Sequence, residues 1–142
     1  LIGDVNDAAK KIHQKLKEIE SSTKPTAIVW GGETTVKIKG SGLGGRNQEL
    51  ALIVAELAHQ DPIRKSWTFL SGGTDGRDGP TEAAGAIVDQ ETCKRILSEG
   101  YQVYDFLAEN NSNKALKISN DLLHTGATGT NVADVQILIV SQ

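Results

Sequence analysis

Three loops rich in Gly, Ser, Thr and Asn carry the residue types in this sequence that could handle a charged small molecule. They cover residues 40–45, 71–80 and 125–131, and each lies next to a run of β-forming residues. Glycine lets a backbone approach a ligand closely, and a helix that follows such a loop adds the positive end of its dipole. The loops therefore predict an anion-binding site, although most glycine-rich loops serve only to turn the chain.

The first loop matches two phosphate-binding patterns only in part. Three of its glycines have the spacing of a dinucleotide-binding fingerprint, but the acidic residue expected about twenty positions later is missing. Gly40 and Gly45 also have Walker A spacing, but Arg46 and Asn47 replace the required lysine and hydroxyl residue. We therefore assign neither pattern. What remains is an arginine that could grip a carboxylate or a phosphate, or form a surface salt bridge, for example to Glu49.

The second loop contains two carboxylates, Asp75 and Asp78, three residues apart. Such a pair could bind Mg²⁺ through oxygen or orient a hydroxyl group. The alternating oxygen ligands of an EF-hand are absent, and Asp-Gly pairs also form ordinary turns. From the sequence, a turn and a site are equally good interpretations of this loop.

Other kinds of catalytic centre find less support. The three histidines and the single cysteine, Cys93, are scattered without metal-ligand spacing, so we predict no metal ligand in the chain. Neither Ser41 nor Ser71 lies in the Gly-x-Ser-x-Gly motif of a nucleophile elbow. One cysteine excludes an internal disulfide and fits a reducing compartment.

The bulk properties limit the classes of function. A chain of 142 residues suits one domain. The formal net charge of −3 gives no basis for binding nucleic acid, which needs a clustered basic surface. We find no signal peptide and no long apolar span, so we expect no membrane partner and a cytoplasmic location, with the mitochondrion as the alternative. The chain begins with Leu1 rather than Met, and we expect it to be a fragment of a longer protein.

Hydrophobic periodicity predicts the elements that position the loops. Apolar residues at intervals of three and four predict a helix within residues 1–20, which either covers the core or connects to another domain. Two β-forming runs separated by glycines, residues 26–30 and 33–39, predict a hairpin. The other predicted elements are helices in residues 46–59, 90–98 and 105–116 and strands in residues 67–70 and 135–140, with residues 83–88 left undecided.

Strands that alternate with helices indicate an α/β fold. We expect a three-layer α/β/α sandwich around a mixed sheet, because the predicted hairpin adds an antiparallel pair. Residues 1–24 would form an N-terminal helix and linker, and residues 25–142 the α/β domain.

The three loops taken together resemble the MOFRL domain, which is the C-terminal part of class II glycerate kinases. The resemblance is carried by the segments GSGLGGRNQELAL (residues 40–52), LSGGTDGRDGPTEAAGA (residues 70–86) and LHTGATGTNVAD (residues 123–134). They occur in the family's order, and the similarity extends over residues 25–142.

The resemblance implies a two-domain enzyme with its active site in the cleft between the domains. A Rossmann-like N-terminal domain, absent from this chain, would form the other wall and supply a lysine. The implied reaction transfers the γ-phosphoryl group of ATP to D-glycerate, giving 2-phosphoglycerate, with Mg²⁺ as cofactor. This chain alone is therefore expected to be inactive.

Arg46 matches the family's functional arginine, and we expect it to hold the glycerate carboxylate or the transferring phosphoryl group. Asn111 stands where the family also accepts aspartate, so the resemblance carries no charge role to that position. The other residues that the resemblance assigns to the substrate and phosphate site are Gly42, Gly44, Gly45, Asn47, Glu49, Asp75, Asp78, Asn110, Ser112, Thr130 and Asn131.

Two alternative functions stay open. The parent protein could reduce hydroxypyruvate, although this chain has no credible nicotinamide fingerprint. The domain could also be a non-catalytic metabolite-binding module that has kept the loops without a partner domain. A parent gene without a Rossmann-like half would favour the second alternative.

Overall fold

A mixed six-stranded sheet forms the centre of the structure, a computed structural model that describes residues 1–141. Its strands are β1 (Ile2–Asp4), β2 (Thr26–Thr35), β3 (Trp67–Gly73), β4 (Gly85–Asp89), β5 (Leu122–Leu123) and β6 (Asp134–Val140). They lie in the order β1-β2-β6-β3-β4-β5. Only β1 and β2 pair in parallel, and the other neighbouring strands are antiparallel. The prediction of an α/β fold with a mixed sheet is confirmed.

Five helices complete the described chain: α1 (Val5–Ile19), α2 (Arg46–Gln60), α3 (Thr92–Ser98), α4 (Val103–Ala108) and α5 (Ser112–Ile118). Helix α2 is the central one and contacts α1, α5, β3 and β4. Ten of its residues are buried, including three polar ones in its first turn. The first turn of α2 is therefore anchored in the core immediately after Arg46, the residue that begins the helix.

The helices cover one face of the sheet. Leu138 and Val140 of β6 point into the core and are almost fully buried, whereas Ile139 between them is 51% exposed. On β2, Val29 is 65% exposed on that same outer face. Alternation along a strand places successive side chains on opposite faces. Of the three layers predicted from the sequence, the described residues thus supply the sheet and one helical layer.

Helix α1 covers the core, as its periodicity predicts. Asp4 caps its first turn by accepting a hydrogen bond from the backbone N–H of Asn6 at 2.8 Å. Val5, Ile12 and Leu16 have no exposed surface, and the helix packs against α2. The interpretation of this segment as a core helix is confirmed.

The hairpin predicted for residues 26–39 is wrong, because a single strand, β2, continues through the two glycines. Gly31 and Gly32 stay in register with β6, and the last three residues of β2 pair with β1. Gly32 has a φ of 127°, and a β-carbon there would collide with the carbonyl oxygen of Leu1. Gly32 therefore allows Leu1 to approach β2 closely, and neither glycine turns the chain.

Candidate functional site

Arg46 is the first residue of α2 and is held by a buried carboxylate. Its Nε donates to Asp134 Oδ2 at 2.7 Å and its Nη2 donates to Asp134 Oδ1 at 2.9 Å. The side chain of Asp134 has no exposed surface, and that of Arg46 is 31% exposed. The hydrogen bonds from Arg46 to Asp134 raise the pKa of Arg46 above its usual value. The guanidinium is therefore a permanent positive charge in one fixed orientation.

The opposite edge of the same guanidinium has donors to spare. A guanidinium carries five N–H groups, and Asp134 takes one from Nε and one from Nη2. The Nη1 atom lies 3.5 Å from Oε1 of Glu33, whose side chain is 58% exposed. An exposed ion pair of this kind contributes little. The Nη1–Nη2 edge of Arg46 can thus bind a carboxylate or phosphoryl group through two hydrogen bonds.

Asp78 occupies the start of α2 and caps it. Its carboxylate accepts hydrogen bonds from the backbone N–H groups of Asn47 and Gln48 at 3.1 and 2.9 Å. It also accepts from both of their side-chain amides, at 3.2 and 2.9 Å. Asp78 is 1% exposed. The negative charge that a helix N-terminus attracts is here supplied by the chain itself.

The first glycine-rich loop packs against the turn between α4 and α5. The N–H of Gly42 donates to the carbonyl of Glu109 at 2.8 Å, and that of Leu43 donates to Asn111 Oδ1 at 3.1 Å. A β-carbon on Gly42 or on Gly44 would collide with this turn. The glycines are thus required for close packing, and the N–H groups of Gly42 and Leu43 are engaged within the chain.

Asn110 fixes the start of this loop together with Glu49. The Oδ1 atom of Asn110 accepts from the N–H groups of Lys39 and Gly40, at 2.5 and 3.0 Å. Its Nδ2 donates to both oxygens of Glu49 at 3.2 and 3.1 Å. Burial raises the pKa of Glu49 despite these hydrogen bonds. Ser112 is also fully buried, and its hydroxyl has no hydrogen-bond partner within residues 1–141.

The second and third loops are joined to each other. Thr74 donates from both its N–H and its hydroxyl to the carbonyl of Ala133, at 3.0 and 2.7 Å. Asp75 forms a local turn by accepting from the N–H of Arg77 at 3.0 Å. Thr130 and Asn131 are exposed on the third loop. The structure therefore brings the second and third loops to the same end of β3 and β6.

A cavity of about 550 Å³ lies between these two loops. A β-carbon on Gly73 would lie 3.2 Å from Asp75 Oδ1 and 3.7 Å from Asp134 Oδ1, so both carboxylates are near this glycine. The carboxylate of Asp75, which lines the cavity, therefore lies near that of Asp134, the partner of Arg46. It is lined by Asp75, Gly76, Arg77, Glu82, His124, Gly126 and Ala127.

The predicted site residues fall into three groups. Asp75 lines the cavity, Arg46 pairs with Asp134, and Thr130 and Asn131 are exposed on the third loop. The glycines of the first loop pack tightly beside the start of α2. The remaining predicted residues are buried behind Arg46, namely Asn47, Glu49, Asp78, Asn110 and Ser112.

Sequence reasoning missed Asp134 and Glu33, the two carboxylates that contact Arg46. The sequence does contain a pattern that indicates the burial of Asp134. It begins β6, and it lies two and four residues before Gln136 and Leu138, which are both buried. The period of two along a strand places all three on the face that meets α2.

Within residues 1–141, no three or more His, Cys, Asp and Glu side chains are grouped so that they could hold a metal ion. In the same part of the chain, no helix has the length and apolar character needed to cross a membrane.

Comparison with known proteins gives consistent matches. A model of the MOFRL family matches residues 26–134. The D-glycerate 2-kinase of Thermotoga maritima is 45% identical over 142 residues, covering 96% of this chain and 33% of the relative. The glycerate kinase of Homo sapiens is 45% identical over 134 residues, covering 92% of this chain and 26% of the relative.

The crystal structure of a glycerate kinase from Thermotoga maritima superposes with a TM-score of 0.93 at 44% identity. The match covers 99% of this chain and 34% of that structure. A second crystal structure, of a protein from Pyrococcus horikoshii, superposes with a TM-score of 0.88 at 41% identity. This match covers 100% of this chain and 33% of that structure. The chain therefore spans about a third of the length of these solved relatives.

Proposed function

This chain belongs to the MOFRL family, and we propose that it forms one wall of the active site of an ATP-dependent D-glycerate 2-kinase. The relatives named glycerate kinase support the proposal, because they match nearly all of this chain. In the proposed reaction, the 2-hydroxyl oxygen of D-glycerate attacks the γ-phosphorus of ATP. The bond from that phosphorus to the oxygen of ADP breaks, and 2-phosphoglycerate forms.

The observation that carries the proposal is the orientation of Arg46. Phosphoryl transfer depends on positioning and on neutralising the charge of the phosphoryl oxygens. Arg46 is fixed along one edge by Asp134, and its Nη1–Nη2 edge has free donors. We infer that this edge binds either the transferring phosphoryl group or the carboxylate of D-glycerate, with donors of the right geometry for both.

The buried residues behind Arg46 support it in this role. Asp78 holds the first N–H groups of α2, and Glu49 with Asn110 holds the preceding loop. A group that must meet a reacting atom within a fraction of an ångström needs such rigid support. We propose that these residues shape the site and that Asp75, Thr130 and Asn131 face the substrates across the cavity.

ATP and Mg²⁺ are the proposed nucleotide and cofactor. Mg²⁺ supplies positive charge to the phosphates when it is bound. The donor set of this chain does not form a cage for it, because Asp78 is engaged by four hydrogen bonds and Asp75 by a local turn. We therefore place no metal ligand on this chain.

The remaining two-thirds of such an enzyme would supply the other wall of the site. We propose that it contains a Rossmann-like domain with a lysine directed at the substrates, and that this chain alone has no activity. The proposed location is the cytoplasm, with the mitochondrion as the alternative.

The test is to incubate the full-length protein with ATP and D-glycerate and to identify the product by phosphorus NMR. The proposal expects 2-phosphoglycerate and ADP in equal amounts. Oxidation of NADH in the presence of hydroxypyruvate, without phosphorylation of D-glycerate, would instead support a reductase. Absence of both activities from a folded full-length protein would favour a metabolite-binding module.

A further inference from the structure

Asp134 lies at the start of β6, and the residue paired with it on each neighbouring strand is a glycine. Its neighbours in the sheet are Gly32 of β2 and Gly73 of β3. The carboxylate therefore meets no cross-strand side chain, and it points to the face where α2 begins. Its side chain is nevertheless fully buried.

A buried carboxylate without a partner is strongly unfavourable. Within residues 1–141, the hydrogen bonds to the Asp134 carboxylate come from Arg46 alone. Pairing with Asp134 therefore restricts the conformation of Arg46. Without this pairing, the long side chain of Arg46 would sample many rotamers. Two parallel hydrogen bonds define the plane of the guanidinium as well as its place.

We propose that Asp134 is a positioning residue, which fixes the guanidinium of Arg46 so that its Nη1–Nη2 edge meets the anion that reacts. This inference rests on the proposed kinase function. Asp134 does not touch the substrate. It acts through Arg46 by occupying the Nε side, which leaves the other edge as the one place where a substrate anion can bind with two hydrogen bonds.

The same chain contains a second arginine–aspartate pair that serves as a matched control. Arg95 Nη2 donates to Asp121 Oδ1 and Oδ2 at 2.8 and 3.0 Å. The side chain of Asp121 is 8% exposed, so it is nearly as buried as that of Asp134. This pair joins α3 to the segment before β5 and contacts none of the three loops. Removing the charge of Asp121 should lower the stability of the fold but should not change the rate of the reaction.

The experiment measures kcat and KM for D-glycerate in the full-length enzyme, with thermal unfolding as the check on folding. Asp134→Asn keeps the size of the side chain but removes its charge. We expect kcat to fall about 100-fold, as for a misplaced catalytic group. KM should change less than about threefold if the edge binds the transferring phosphoryl group, and should rise further if the edge binds the carboxylate of D-glycerate. Asp121→Asn should keep kcat within about twofold of wild type while lowering the unfolding temperature.

A double variant separates positioning from a general structural effect. If Asp134 acts through Arg46, then Asp134→Asn should not lower kcat further in an Arg46→Ala background. Asp134→Glu provides a second variant should the asparagine variant fail to fold. It keeps the charge but moves the guanidinium by one methylene, and we expect a loss of about tenfold.

A wild-type kcat in folded Asp134→Asn, or an additive loss in the Arg46→Ala background, would overturn this inference alone. If asparagine prevents folding, a wild-type kcat in Asp134→Glu would overturn it. A folded wild-type enzyme that does not phosphorylate D-glycerate would overturn the proposed function as well.

Discussion

Individual buried carboxylates determine the geometry around the start of α2. Asp78 binds the backbone of the first turn, Asp134 binds the side chain of Arg46, and Glu49 holds the loop through Asn110. Each has a different partner, so each is expected to respond differently to substitution. Of these three carboxylates, only Asp134 accepts hydrogen bonds from Arg46, the group that we propose to meet the substrate.

Glu49 gives a prediction for the pH dependence of stability. Burial raises its pKa in the folded chain above the usual value of 4.5. The folded state therefore binds a proton more readily than the unfolded state does, and this group's contribution to stability falls as the pH rises from 4.5 through the raised pKa. Glu49→Gln removes that ionisation.

The free energy of unfolding, measured with urea at a series of pH values, should then decline more steeply with rising pH in wild type than in Glu49→Gln. The difference should be confined to the window that begins near pH 4.5. Parallel curves for the two proteins would contradict the assignment of a raised pKa to this carboxyl group.

At the residue scale, the sequence named candidate residues but could not give their contacts. The resemblance identified Arg46 and its polar neighbours, but residue types alone could not show that Asp78 is a helix cap rather than a ligand. Spacing also gave no hint that Asp134, 88 residues after Arg46, would be its partner. Pairings of this kind depend on the sheet order, which local pattern does not determine.

At the scale of elements, periodicity was informative where one face of an element is buried. It predicted α1, α2 and β6 within a few residues, because their apolar stripes match their periods. It failed at the two glycines of β2, where local turn propensity was overridden by pairing with β6 and β1. The short strands β1 and β5 have three and two residues and exist only through such pairing.

The junction between the first loop and α2 gives a second prediction. A β-carbon on Gly45 would lie 2.6 Å from Oδ1 of Asp78, whose carboxylate is held in place by four hydrogen bonds. Gly45→Ala should therefore lower the free energy of unfolding by about 1–3 kcal/mol, as other overpacked cores do. Its φ of −148° is allowed for alanine, so the effect is steric.

Gly31→Ala is the control for this substitution, because a β-carbon at that position would meet nothing within 4 Å. Urea unfolding of both variants measures the difference. If Gly45→Ala were as stable as Gly31→Ala, the close packing of Asp78 against this glycine would be refuted.

Helix α1 gives a third prediction. Leu16 is fully buried in the core formed with α2. Leu16→Ala should lower the free energy of unfolding by about 2–5 kcal/mol, since it leaves a cavity. Lys10→Ala, at an exposed position on the same helix, should change it by less than about 0.5 kcal/mol. A negligible cost for Leu16→Ala would mean that α1 is not docked in solution.

At the scale of the whole molecule, the chain presents two surfaces, namely the proposed site around Arg46 and an uncovered face of the sheet. Apolar side chains such as Val29 and Ile139 are more than half exposed on the face opposite the helices. The chain spans about a third of the length of its solved relatives. The sequence could predict the α/β class, but it could not predict how many helical layers these residues supply.

Arg46 is the residue on which the proposed function depends, and a kinetic comparison in the full-length enzyme tests its role. Turnover of D-glycerate with ATP would be measured for wild type, Arg46→Ala and Arg64→Ala, the last replacing an exposed arginine just after α2. We expect Arg46→Ala to lower kcat by about 100-fold or more while the protein stays folded, because charge neutralisation of the phosphoryl group is lost. Arg64→Ala should keep wild-type turnover. A folded Arg46→Ala enzyme with the wild-type rate would contradict the account.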